Sequence, residues 1–290
     1  GPLMAQALGR LGVRVNYVGC VGRETPHPVF EPLSQFGEVL TLADPGHTDA
    51  VEFEDGKIMH GKLESIKEVT WARILEVAGG EEGVLRLMRG CGLMALTNWT
   101  MVPFSNEIYQ NLTRLALAHP EARPRILFFD LADPEKRTPQ DIRRALDLIG
   151  QFQRHFDVIL GLNEKETNEL ALALGLNNEA HSVDAVCSLA RQIAAQLPID
   201  TLVVHPTKYA LAISGGELTI VKGLYTQKPK ITTGAGDHFN SGFCLGKLLG
   251  FDNPLALLAG VAASGHYVRT SESPTVEALA QTIRLWPNES

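Results

Sequence analysis

Residues 231–243 read ITTGAGDHFNSGF, and the fold turns on what this stretch does. Gly234 and Gly236 can adopt positive φ or let another molecule approach the backbone closely. The residues that follow, FNSGFCLGKLLG, carry apolar side chains at helical spacing. This places Asp237 at the start of a helix, among backbone N–H groups that have no partner within the helix. Such ends attract anions and phosphates. Taken alone, the stretch has two readings: an aspartate that caps a helix, or a turn that holds an anion.

The chain has 290 residues, enough for one large α/β domain or two small ones. It is 44% hydrophobic and 20% charged, as expected of a globular protein. The net charge of −7 counts against general nucleic-acid binding, which leaves a basic footprint. No run reaches the roughly 18 apolar residues that span a bilayer, and no segment reads as a signal peptide. Cys20, Cys91, Cys187 and Cys244 are scattered with no CxxC pair, against a zinc site or disulfide framework and in favour of a cytoplasmic location. The opening GPLMAQALGRLG reads as a helix with no strand before it, so the expectation is one domain over 1–290 that lacks its N-terminal strand.

Outward from the central stretch, strands and helices alternate. VRVNYVGCVG (13–22) is predicted as a buried strand, PVFEPLSQFG as a helix and EVLTL as extended. AVEFEDGKIMH (50–60) reads as a hairpin, with Asp55-Gly56 as a two-residue turn. GLMALTN, RILFFDLAD, FDVILGLN and DTLVVHP read as strands, separated by helical stretches. Among these helices, Thr138 with Pro139 and Ser182 carry N-terminal signals. YALAISGGELTIV reads as a second hairpin, and two helices follow the central motif. Nearly continuous apolar strands alternating with helices imply a mostly parallel sheet covered on both faces. Ligands of such sheets bind beyond the carboxyl ends of the strands. Those ends supply Asn98, Asp130, Asp133, the run Asn163 to Glu166, the run His205 to Lys208 and the glycine turn itself.

The combination resembles the ribokinase-like, or PfkB, family of carbohydrate and nucleoside kinases. ITTGAGDHFNSGF is similar to that family's C-terminal signature, a D-T-x-G-A-G-D run followed by a helix. Asn163-Glu164-Lys165-Glu166 is similar to its N-x-x-E motif, and ALGRLGVRVNYVGCVG and EFEDGK match its early strand and lid. The resemblance covers essentially the whole chain. It implies a three-layer α/β/α domain with a small β lid, and transfer of the γ-phosphate of ATP to a hydroxymethyl group of a small sugar. A nucleoside kinase of the same fold, or a non-catalytic binding protein built on it, are the alternatives. By position the resemblance makes Asp237 the catalytic base and the amides of Gly234, Ala235 and Gly236 an anion hole. Asn163 and Glu166 become the pair that organises Mg2+ and the nucleotide phosphates. Such chemistry needs fixed positive partial charge where the phosphoryl anion develops, and a nearby proton acceptor. The bland reading of Asn163 and Glu166 is an ordinary helix start. A homodimer through the lid is a further implication.

Three departures qualify it. Ile231 stands where the signature usually opens with an aspartate that helps hold a monovalent cation, so potassium activation is not expected. His205-Pro206-Thr207-Lys208-Tyr209-Ala210 replaces the usual T-x-G-x-x-G that wraps the nucleotide. His205, Thr207 and Lys208 are the candidate nucleotide contacts there. The first strand, with its substrate-binding acid, is not in this sequence. Other chemistries lack their motifs: there is no HExxH, GxSxG, GxGxxG after an early strand, or GxxxxGK[ST]. Gly242 and Gly246, four apart, are expected to let their helix pack closely on a neighbour. Trp71, Trp99 and Trp286 are expected to be partly buried; for Trp99, at a strand end, a place bordering the site is the lesser of two readings.

Overall fold

The run ILFFD is apolar up to its closing aspartate because both of its faces are covered. It forms strand β6 (Ile126–Asp130) of a six-stranded sheet. Leu127 and Phe129 point into one hydrophobic cluster, and Ile126 and Phe128 into another. The computed structural model describes residues 1–54, 56–120, 125–177 and 180–285, with the backbone alone for Glu52, Lys57 and Met59.

β5 (Leu93–Thr97), β6, β7 (Asp157–Leu162) and β8 (Thr201–Val204) run parallel in that order. β9 (Tyr209–Ser214) and β10 (Glu217–Lys222) continue the sheet antiparallel, joined through Gly215 and Gly216 at φ 57° and 82°. One face is covered by α2 (Trp71–Ala78), α3 (Glu81–Arg89), α4 (Ser105–Ala118), α5 (Pro139–Phe152), α6 (Glu164–Ala173) and α7 (Val183–Gln196). The other carries α1 (Pro2–Arg10), α8 (Ala235–Leu248) and α9 (Asn253–Thr270). α8 and α9 approach closely: a Cβ on Gly242 would lie 2.4 Å from Ala259 O, and one on Gly246 2.8 Å from Ala256 Cα. Both glycines therefore serve packing, as their spacing suggests. Thr138 and Ser182 cap α5 and α7 by accepting from Asp141 N and Ala185 N.

Two elements stand apart from this sheet. β3 (His47–Phe53) and β4 (Gly56–Lys62) form the expected antiparallel hairpin, slightly longer than 50–60, whose turn residue Asp55 lies outside the described residues. The strand expected over 13–22 is shorter. Only Tyr17–Gly19 (β1) forms a ladder, parallel to β2 (Val39–Thr41), in a sheet of its own. The segment PVFEPLSQ is a 3₁₀ helix rather than an α-helix, with Pro32 inside it removing an amide the α ladder needs. Trp71 and Trp99 are fully buried rather than partly so, and Trp286 lies outside the described residues. Trp99 does not border the site: its Nε1 donates to Asn106 Oδ1 at 2.8 Å, and the Arg137 guanidinium covers its ring at 4.6 Å.

Candidate active site

The register of the parallel strands lines up their carboxyl ends. Thr97 pairs with Asp130, Asp130 with Gly161 and Leu162 with Val204, so the loops beginning at Asn98, Leu131, Asn163 and His205 leave the sheet side by side. Backbone strain gathers there. Asn98, Ala132 and Asp133 have φ of 64°, 58° and 55°. Non-glycine residues in this region cost energy that the surroundings must overcome, and they concentrate at functional sites.

The glycine turn reaches this edge from α8. Gly234 is the N-cap of α8 at φ 90°, and Asp237 stands in the first turn, one quarter exposed. No side chain caps α8, so the reading of Asp237 as a mere cap does not hold. Its Oδ1 lies 3.1 Å from the Gly1 amino group. The amides around it divide in a way the motif does not reveal. Ala235 N–H closes a turn onto Thr232 O at 3.1 Å. Gly234, Gly236 and Asp237 N–H have no acceptor among the described residues. The available donors are thus Gly234, Gly236 and Asp237, in place of the expected set that included Ala235.

Asn163 and Glu166 form a full capping box on α6. Asn163 Oδ1 accepts from Glu166 N at 2.9 Å, and Glu166 Oε2 accepts from Asn163 N at 2.9 Å. Glu166 Oε1 accepts from Asp133 N at 3.1 Å, which anchors the strained turn after β6. The helix-start reading is therefore realised, and the same carboxylate faces the loop of Asp130. Burial pushes the Glu166 carboxyl up to about 7, with the charge of Asp130 adding to the effect.

Asp130 was named only as a strand-end residue without a role, and its partner Asn240 was not expected at the site. Asp130 Oδ1 accepts from Ala132 N at 3.0 Å, and Asn240 Nδ2 donates to its Oδ2 at 2.9 Å. Asn240 Oδ1 is buried with no partner among the described residues. Burial raises the Asp130 carboxyl to about 6, and the nearby charge of Asp237 also acts in that direction. One signal for Asn240 was available: it is three residues after Asp237 on a helix, hence on the same face.

These raised carboxyls set a pH dependence. Ordinary Asp and Glu values are near 3.8 and 4.5, so the folded chain keeps both protons to higher pH than the unfolded chain does. Folding stability from these two groups is then greatest in acid and falls as pH rises from about 4 through 7. Asp130→Asn removes one penalty, and Asn240 can turn its amide to offer the unpartnered Oδ1. The variant is expected to raise Tm at pH 8 by at least about 2 °C, with a gain that shrinks below pH 6. A gain constant across thermal scans from pH 5 to 8 would contradict the assignment.

His205 leaves β8 and lays its ring on Phe239 at 4.7 Å, with Cε1 3.4 Å from where a Gly236 Cβ would stand. Burial lowers it to about 4, so at neutral pH it offers one N–H and no charge. Thr207 and Lys208 are exposed, and Lys208 Nζ lies 5.5 Å from the Tyr225 ring centre. Ala210 points away from the loop into the α8–α9 cluster.

Magnesium is implied by the resemblance, and the donor set fits it. Asp130, Glu166 and Asn163 offer only oxygen and amide groups. Among the described residues no three or more His, Cys, Asp or Glu converge as a metal cage. Magnesium keeps several waters and uses one or two carboxylates plus phosphate rather than such a cage. A buried carboxyl raised further by the charge of a second one, as Glu166 is by Asp130, is what a divalent cation relieves.

A family model described as prokaryotic ketohexokinase matches residues 2–285. The chain belongs to the prokaryotic ketohexokinase family. It is a PfkB-type carbohydrate kinase, an ATP-dependent phosphotransferase with a sugar hydroxyl as acceptor. A ketohexokinase of Haloferax volcanii is 29% identical over 279 residues, covering 95% of this chain and 72% of that protein. Among solved structures, Arabidopsis thaliana ribokinase complexed with ribose and ATP matches with a TM-score of 0.72 and 17% identity, over 98% of this chain and 86% of the other. A putative ribokinase II from E. coli in complex with ATP and Mg2+ matches with a TM-score of 0.69 and 16% identity, over 98% of this chain and 87% of the other. These structures establish the ribokinase-like fold for this member of the family. No helix among its described residues is long and apolar enough to cross a membrane.

Proposed function

We propose that this kinase phosphorylates a hydroxymethyl group of a ketohexose, with Asp237 as the general base. The observation that carries the reading is the geometry of the α8 start. One carboxylate stands there among three unpartnered amides, at the strand edge that also presents Asn163 and Glu166. The family model and the Haloferax relative support the ketose assignment over a nucleoside or a silent binding protein.

Asp237 accepts the proton of the attacking hydroxyl as the bond to the γ-phosphorus forms and the bond from that phosphorus to the β–γ bridging oxygen breaks, releasing ADP. Gly234, Gly236 and Asp237 N–H groups hold the transferring phosphoryl oxygens in fixed orientation, so no reorganisation is needed at the moment of transfer. His205, neutral beside Gly236, supplies one further hydrogen bond to a phosphate. Thr207 and Lys208 flank the nucleotide. Glu166, Asn163 and Asp130 would hold Mg2+, whose positive charge would offset that of the ATP phosphates. The β3–β4 hairpin closes over the sugar and excludes water. Val51, Phe53 and Ile58 are exposed on that hairpin and support its pairing with a second copy in a homodimer. Four free cysteines suit a cytoplasmic setting for one kinase domain over 1–290.

The test is ADP release from ATP and Mg2+ against ketohexoses, aldoses, ribose and nucleosides. Highest kcat/KM on a ketohexose is the expected result. A nucleoside or ribose preferred over every ketohexose would overturn the substrate assignment. The same assay checks the ions. Ile231 offers no carboxylate to a monovalent cation, so added potassium should change turnover little while removal of magnesium abolishes it. A large potassium stimulation would show that carbonyl oxygens suffice for such a site.

A further inference from the structure

The geometry points to Tyr267, His238 and Ser273 as a brace that presets the phosphoryl-binding amides, a role that rests on the kinase reading above. A peptide group is planar, with its C=O and N–H directed oppositely. Whatever fixes a carbonyl therefore aims the amide of the next residue. Tyr267 Oη, on α9, donates to Thr233 O at 3.1 Å. The other end of that peptide is Gly234 N–H, one of the unpartnered donors. Gly234 O, one peptide further, lies 2.7 Å from His238 Nδ1 on α8. A carbonyl only accepts, so Nδ1 carries the proton. The far end of this second peptide, Ala235 N–H, is tied to Thr232 O. Two consecutive peptides are thus held, and the turn has little freedom left.

The brace is itself held. His238 Nε2, unprotonated, accepts from Ser273 Oγ at 2.9 Å. The His238 ring stacks on Tyr267 with centroids 3.6 Å apart and planes 11° from parallel. His238 is fully buried, and burial keeps it neutral. Gly234 leaves room for this packing. At φ 90°, a Cβ there would stand 3.3 Å from Tyr267 Oη and 2.9 Å from Leu3 Cδ1. Donors aimed in advance at the developing charge are what transition-state stabilisation requires.

Steady-state kinetics and thermal melts of three variants test the brace. Tyr267→Phe removes one hydroxyl and keeps the ring. His238→Phe keeps the stacking and removes the Nδ1 donor. His238→Asn keeps a donor able to reach the carbonyl four residues back, as Asn111 Nδ2 does to Glu107 O at 3.0 Å and Asn168 Nδ2 to Glu164 O at 3.2 Å. Tyr267→Phe and His238→Phe are expected to lower kcat at least about tenfold with the sugar KM unchanged, and His238→Asn to recover most of the loss. Parental kcat in folded Tyr267→Phe, or losses that follow Tm alone across the set, would overturn the proposal. If His238→Phe does not fold, Tyr267→Phe and His238→Asn decide the matter. A parent without sugar-kinase turnover, or Asp237→Asn at parental rate, would instead sink the kinase reading and the brace with it.

Discussion

Asp237→Asn is expected to lower kcat at least about a hundredfold, because general-base catalysis contributes about 10² to 10⁴ in rate. Asparagine matches aspartate in size but accepts no proton at neutral pH. The fold should tolerate the change. The Asp237 side chain makes no capping bond, the N-cap being Gly234, and its carboxylate is partly open to solvent. Tm and the KM for ATP should therefore stay near parental values. Asp237→Ala is expected to behave the same way, since no helix cap is lost with it. The opposite pattern, stability lost and turnover kept, would mean that Asp237 is structural and that another group takes the proton. Product formation measured under saturating ATP, alongside a thermal melt, separates the two.

The second large effect belongs to Glu166, and it should appear in both stability and rate. Its two oxygens satisfy the amides of Asn163 and Asp133. Removing them in Glu166→Ala strands two N–H groups around a buried position, and an unmade buried hydrogen bond costs about 1–3 kcal/mol. Relief of the buried charge offsets part of this cost, since the carboxyl is already pushed up to about 7. A net loss of about 2 kcal/mol follows, or roughly 4–8 °C in Tm. Glu166→Gln keeps one acceptor oxygen and should melt between parent and alanine variant. For the rate, groups that orient a metal and its waters are typically worth about 10–100-fold in metal affinity or activity. Glu166→Gln should thus need more magnesium and lose turnover despite its milder stability defect. If Glu166→Gln keeps both the parental rate and the parental magnesium requirement, Glu166 is a capping residue alone.

Much of this was legible in the chain because it is local. Alternating strand and helix patterns, the glycine turn of the second hairpin and the caps at Thr138 and Ser182 depend on residues a few positions apart. So does the Asn163–Glu166 box, whose spacing of three is the geometry of one helical turn. The glycine turn and its aspartate were readable for the same reason, since φ freedom and helix-start amides are properties of a short segment. Where a local rule competed with context, the reading slipped. The strand over 13–22 found a partner for only Tyr17–Gly19. PVFEPLSQ showed helical periodicity, but Pro32 inside it left a 3₁₀ helix.

What only the tertiary structure decided lies between residues far apart in sequence. Asp130 is an unremarkable strand-end acid until burial raises its pKa, an effect that the hydrogen bond from Asn240, 110 residues later, only partly opposes. Periodicity places each residue on a face but says nothing of which distant group meets it there. The same holds for the turn at Thr233 and Gly234, whose carbonyls are held by Tyr267 and His238 from two helices, with Ser273 35 residues beyond His238. Which amides of the motif remain free was also hidden, because Ala235 N–H is taken by Thr232 O through the way the whole turn is seated. The sequence motif named the residues proposed to carry the chemistry. Their charge state and the direction of their donors came from desolvation and from hydrogen bonds that close only when the sheet, α8 and α9 come together.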